Sequence, residues 1–192
     1  MMSFYTEYDF FNNIVYAYGL DNFRTLWNDK NFHTAVINTI IFVIGVVPVS
    51  ILLSLAIAMM LNSSIKWKSA FRTIYFLPFV TSVVAVAIVW SWIFHSNYGV
   101  LNHLLGYVGI DPIRWITDPT YAMPALIILS VWKGLGFNII IFLAGLQNIN
   151  KQYYLAAKVD GASAWQRMKT ITLPLLSPTT FFVSIISIIS AF

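Results

Sequence analysis

Lys133 is the only charged residue in the otherwise apolar stretch 121–146, and two glycines, Gly134 and Gly136, stand one and three residues after it. A lysine near the middle of an apolar span costs about 2.5–3.5 kcal/mol to insert into a bilayer. Its stem is too short to reach water from there, so the ammonium must face a protein interior or an aqueous cavity. The neighbouring glycines thin the helix and permit either close helix approach or a gap of solute size. Two readings follow: Lys133 lines a ligand path, or it pairs structurally with a buried acceptor on a partner subunit. Catalytic chemistry has little support elsewhere in the sequence. No Gly-rich phosphate loop, nucleophile elbow or pair of catalytic carboxylates is present, so any ATP that drives this protein is bound by another subunit. His33, His95 and His103 lack metal-ligand spacing, and zero cysteines exclude disulfides and thiolate sites.

The elements that must position Lys133 are membrane spans. Hydrophobic residues make up 59% of the 192 residues and charged residues 9%, with a mean hydropathy of +0.76; a soluble domain carries roughly 25% charged residues. The apolar residues fall in long runs rather than strand-length alternations, which selects lipid as the solvent. Spans are expected at about 34–61, 71–94, 121–146 and 173–192, helical because an isolated strand in lipid leaves its backbone unpaired. Pro78 should kink the second span without abolishing it. Between His95 and Thr120 the composition turns to Gly, Asn, Asp and Pro, a loop with one short interfacial helix; Asp111-Pro112 and Asp118-Pro119 read as turn or helix-start signals. The run after 173 is too short to cross ~30 Å of hydrocarbon at 1.5 Å per residue. With no signal peptide visible before Asn13, the chain is expected to be a fragment, lacking its last helix or helices and its first.

Charge assigns the sides. The connectors 62–72 and 147–172 hold seven basic residues (Lys66, Lys68, Arg72, Lys151, Lys158, Arg167, Lys169) against Asp160 alone, whereas 1–33 and 95–120 hold three basic residues against six acids. The positive-inside rule places the basic connectors in the cytoplasm. Such one-sidedness points to membrane orientation, not nucleic acid.

The longer connector, 147–174, is the second candidate site. Tyr154, Leu155, Ala156 and Ala157 predict a helix with a small-residue face, Asp160-Gly161 a break, and Ser163 with Gln166 a capping box that starts the next helix; Leu173-Pro174 marks entry to the fourth span. Such a pair suits docking into another protein's groove, and equally suits an amphipathic connector lying on the bilayer surface.

This segment resembles the coupling loop of ABC importer permeases, whose pattern is Glu-Ala-Ala, three residues, Gly, nine residues, Ile-x-Leu-Pro. Ala156-Ala157, Gly161, Ile171, Leu173 and Pro174 stand at those spacings. Leu143 to Gln147 (LAGLQ) and Gly19 to Phe23 (GLDNF) look like the carbohydrate branch, so the resemblance covers most of the chain from Tyr5 onward. It implies an all-α polytopic membrane protein of the type I importer (MetI-like) fold in the bacterial or archaeal cytoplasmic membrane. The implied activity is that of a non-enzymatic permease subunit, half of a path for a sugar or sugar-like solute, working by alternating access. The implied partners are a second permease subunit, an ABC ATPase dimer that binds the ATP, an extracytoplasmic solute-binding protein and the lipid bilayer. Tyr154, Leu155, Ala156, Ala157, Asp160 and Gly161 would dock the ATPase, while Lys133, Gly134, Phe137 and Asn138 would line the solute path. The sequence departs from the pattern at Leu155, where the family has a Glu that pairs with a basic residue of the ATPase. Its absence bears on the strength or regulation of that contact. The competing classes are an ion-coupled secondary transporter, with Lys133 as its charge-coupling site, and a non-transporting membrane assembly subunit.

Overall fold

The computed structural model describes residues 2–9, 11–12, 14–62 and 68–192. Ser63, Ser64, Lys66 and Trp67, on which part of the expected basic connector rests, lie outside the described residues. Two compact units are present, Met1–Ile41 and Phe42–Phe192.

The first unit departs from the all-helical expectation. Strands β1 (Tyr5–Asp9) and β2 (Ile14–Tyr18) pair antiparallel. The rings of the cross-strand pair Tyr5 and Tyr18 meet edge to face with centroids 5.3 Å apart, the kind of contact that stabilises a short hairpin. Helix α1 (Asp21–Asn28) is tied back to it, because the Asn22 side chain donates to the carbonyls of Ser3 (3.2 Å) and Tyr5 (2.9 Å).

Long helices dominate the rest. Helix α2 (Lys30–Asn62) encloses the expected span 34–61 and carries Pro48 within it. The span expected at 71–94 is instead two helices, α3 (Lys68–Val80) and α4 (Val83–Ile93), with a 105° bend between 73–80 and 83–93. A proline kink therefore understates the feature. Pro78 removes one backbone donor, Thr81 turns its hydroxyl onto the Leu77 carbonyl (2.7 Å), and Ser82 takes non-helical dihedrals (φ −51°, ψ 133°) that start α4 in a new direction. The 95–120 loop contains the expected short helix, α5 (Val100–Gly106), and the Asn102 side chain clasps it to the Ser96 and Ile113 carbonyls.

Asp118 caps α6 (Pro119–Asn148) by accepting from the Thr120 amide at 2.9 Å, with Pro119 at the first helical position. Helix α7 (Lys151–Val159) follows, then α8 (Ala164–Arg167), a five-residue π turn (Met168–Thr172), α9 (Leu173–Leu175) and α10 (Ser177–Ala191). Leu173-Pro174 thus falls inside a helical run rather than at its start. The π turn widens the helix just before Pro174, and the direction changes two residues later, by 62° between 164–175 and 177–191.

Helices α2 and α6 are long and apolar enough to cross a membrane, and four crossings result if each bent pair counts as one. Their common core is Ala58 and Leu61 of α2, Ile139, Phe142, Leu143 and Leu146 of α6, then Leu176 and Val183. Ile44, Leu52, Leu53, Phe181 and Ile189 are exposed, as expected of helices whose outer faces meet lipid or other helices.

Candidate functional site

Two sites emerge. The first is a cavity of about 360 Å³ that gathers all four residues expected on the solute path, Lys133, Gly134, Phe137 and Asn138. They share one side of α6 because spacings of three to four residues return to the same face. The opposite walls were not among the expected residues: Phe42, Val46 and Ser50 from α2, Phe79 from α3, Val83 from α4, and Ser187 with Ser190 from α10. One signal for Ser50 was available, since it and Ser54 are buried one turn apart in an apolar helix.

Asn138 is the polar anchor of this cavity. It is 4% exposed, and its amide nitrogen donates to Ser50 Oγ at 2.9 Å and Ser187 Oγ at 3.4 Å, linking α6 to α2 and α10. Among the described residues the amide oxygen accepts no hydrogen bond, so it keeps acceptor capacity for a further donor. Phe137 stacks on Phe79 with centroids 5.0 Å apart and planes 17° from parallel. The lining therefore pairs aromatic surface with separated hydroxyl and amide groups, as small polar ligands with apolar faces require.

An acceptor for Lys133 lies within the same chain. Nζ donates to the backbone carbonyl of Thr81 at 3.2 Å, at the α3–α4 break. A hydrogen bond from a charged donor contributes about 1.5–3 kcal/mol. The insertion cost of the charge is about 2.5–3.5 kcal/mol, so this one contact offsets a substantial part of it. The helix terminus adds to the effect, because a cation is stabilised where carbonyls have run out of helical donors.

Gly134 and Gly136 divide the two roles that their residue type allows. A Cβ at Gly136 would collide with the Tyr75 carbonyl, so this glycine permits the close contact of α3 with α6. At Gly134 a Cβ would meet nothing within 4 Å, and that position opens on the cavity.

The second site is the α7 turn. Asn150 caps the helix by accepting from the Gln152 amide (2.9 Å). At the other end Gly161 has φ +76°, its amide donates to Lys158 O (3.1 Å) and the Ala162 amide donates to Ala157 O (2.9 Å), the paired bonds of a Schellman turn. The next residues form the expected capping box, with the Ser163 amide donating to Gln166 Oε1 at 2.7 Å and the Gln166 amide to Ser163 Oγ at 3.3 Å. Arg167 closes the loop by donating to the Ala162 carbonyl at 2.6 Å.

Side-chain directions separate the six expected docking residues. Leu155 is 59% exposed, and Ala156, Asp160 and Gly161 are also exposed, alongside Val159 at 88%. Ala157 is half-buried. Tyr154 faces inward instead: its hydroxyl lies 2.9 Å from Thr172 Oγ1 and its ring packs on the core. It anchors the helix whose other face is open.

Residues 50–192 match the family described as "Binding-protein-dependent transport system inner membrane component". The lactose transport system permease protein LacF of Rhizobium radiobacter is 42% identical over 174 residues, 89% of this chain and 58% of that protein. The probable ABC transporter permease protein YesP of Bacillus subtilis is 44% identical over 191 residues, 98% of this chain and 61% of that protein. The chain thus spans about three-fifths of the length of these relatives. Among solved structures, a chain of a bacterial alginate ABC transporter in complex with an alginate pentasaccharide-bound periplasmic protein superposes with a TM-score of 0.79 at 32% identity, covering 88% of this chain and 59% of that one.

Proposed function

Since the chain belongs to the family of binding-protein-dependent transport system inner membrane components, we propose that it forms half of the translocation path of an ATP-driven importer for a sugar or sugar-like solute. The observation that carries the solute reading is the cavity, where Asn138, Ser50 and Ser187 stand beside the stacked Phe79 and Phe137. Hydroxyl-rich rings have polar edges and apolar faces, and this lining offers partners for both. Relatives named for lactose, arabinooligosaccharide and trehalose/maltose transport support the same class.

In the proposed mechanism the ATPase grips α7 through Leu155, Ala156, Val159, Asp160 and Gly161. Because Tyr154 is pinned to Thr172 and to the core, a push on the exposed face is passed to α6 and to the helical run that follows the π turn. Alternating access results when this movement opens the cavity to one side and then the other. A second permease subunit, an ATPase pair and an extracytoplasmic solute-binding protein complete the assembly.

The test is to purify the full-length protein from its native membrane and reconstitute it in vesicles. Recovery of an ATPase, with ATP-dependent sugar uptake that survives collapse of the ion gradients, is expected. Uptake driven by an ion gradient without ATP would overturn the proposal.

A further inference from the structure

We infer that Lys133 is a positioning residue: its ammonium pins the α3–α4 bend at the Thr81 carbonyl and so holds the aromatic wall of the solute cavity in place. The inference rests on the cavity reading above but concerns what keeps that cavity in shape.

Three observations converge. The Lys133 ammonium donates to a backbone carbonyl, Thr81 O, at the point where α3 stops and the chain turns by 105°. A chain break within a low-dielectric region leaves helix-end carbonyls that need donors, and side chains of neighbouring helices supply them. Phe79 lies two residues before Thr81, and Phe137 lies one turn after Lys133. The ring stack and the ammonium contact are therefore adjacent fastenings between the end of α3 and the same stretch of α6. Gly136, on the intervening turn, lets the α6 backbone reach the Tyr75 carbonyl, so α3 is held closely along this stretch, while beyond the bend α4 meets α6 through the Trp90–Trp132 ring contact, 5.3 Å between centroids. Cutting the ammonium contact should free the bend first.

This assignment differs from one in which Lys133 reads a charge on the solute. A positioning lysine acts in the absence of solute, and a solute-reading lysine does not. The experiment uses the full-length protein in its complete assembly in lipid nanodiscs, with other cysteines replaced. Spin labels at Ile74→Cys on α3 and Val89→Cys on α4 report the bend by pulsed electron resonance without solute; both positions are exposed. Lys133→Met keeps the stem and removes the donor. It is expected to broaden or shift the distance distribution by about one helical turn, roughly 5 Å, and Lys133→Arg, which keeps the charge and donors, is expected to restore it. Lys133→Gln, read in the same way, serves where the Met variant does not assemble. An unchanged distribution in the neutral variants overturns the inference, as does an Arg variant as disordered as Met. Because the distances are recorded without solute, they separate this inference from the solute path. A cavity that proves not to carry solute would leave the distance result standing.

Discussion

Replacing Gly161 is the sharpest way to disturb the α7 turn without touching its surroundings. A Cβ at this position would meet nothing within 4 Å, so no collision obscures the result, and the whole effect comes from φ +76°. An L residue in the left-handed region costs roughly 1–2 kcal/mol, least for Asn and most for β-branched side chains. That penalty lowers the ratio of closed to open turn by a factor of roughly 5–30. If the closed turn is the form that binds, the apparent Kd for the ATPase rises by up to the same factor. Titration of purified ATPase onto the reconstituted protein should rank the variants wild type, Gly161→Asn, Gly161→Ala, Gly161→Val, from tightest to weakest. Membrane insertion should be unaffected throughout. Equal affinity for wild type and Val, or an Asn variant weaker than Val, would refute the reasoning.

The cavity and its frame yield further expectations. Gly136→Ala forces a methyl onto the Tyr75 carbonyl, and overpacking of this kind costs typically 1–3 kcal/mol; thermal unfolding in detergent should fall clearly for this variant and hardly at all for Gly134→Ala. Equal effects of the two would contradict the assigned packing. Asn138→Leu removes the amide that joins Ser50 and Ser187 and the free acceptor beside them. Loss of one hydrogen bond from solute to the amide oxygen, worth about 1 kcal/mol, should raise the KM for uptake about fivefold while ATPase recovery is unchanged. An unchanged KM would remove Asn138 from the solute path.

Local chemistry was legible in the sequence; long-range chemistry was not. The Ser163–Gln166 box, the Gly161 break and the Asp118-Pro119 start are settled by residues within one turn of each other, and each formed as its spacing implied. Helices α2 and α6 were visible as long uncharged or nearly uncharged runs. The α3–α4 bend was not, because Pro78 is compatible with anything from a slight kink to a full break, and the outcome turned on Thr81 and Ser82. Continuity through the π turn was hidden for a related reason, since Pro174 normally signals an end or a beginning. The hairpin at the start of the chain rests on short strands with aromatic pairing, too brief to stand out beside apolar spans. In the cavity, Lys133 and Gly134 stood out as a charge and a glycine in an apolar span, and Phe137 and Asn138 followed from the family resemblance, but Ser50 lies 88 positions and Ser187 49 positions away from Asn138. Likewise the partner of Lys133 is a backbone carbonyl 52 positions distant, which no side-chain pattern encodes.

The claim on which the mechanism depends is that α7 is a handle gripped from the cytosol. Leu155→Cys and Val159→Cys place a thiol on its exposed face without disturbing Tyr154 or the Gly161 turn. In the complete transporter, photo-activated cross-linking from these two thiols is predicted to capture the ATPase subunit, and a membrane-impermeant maleimide is predicted to reach them only in inside-out vesicles. Labelling of both thiols from outside intact cells, with no ATPase captured, would contradict the account.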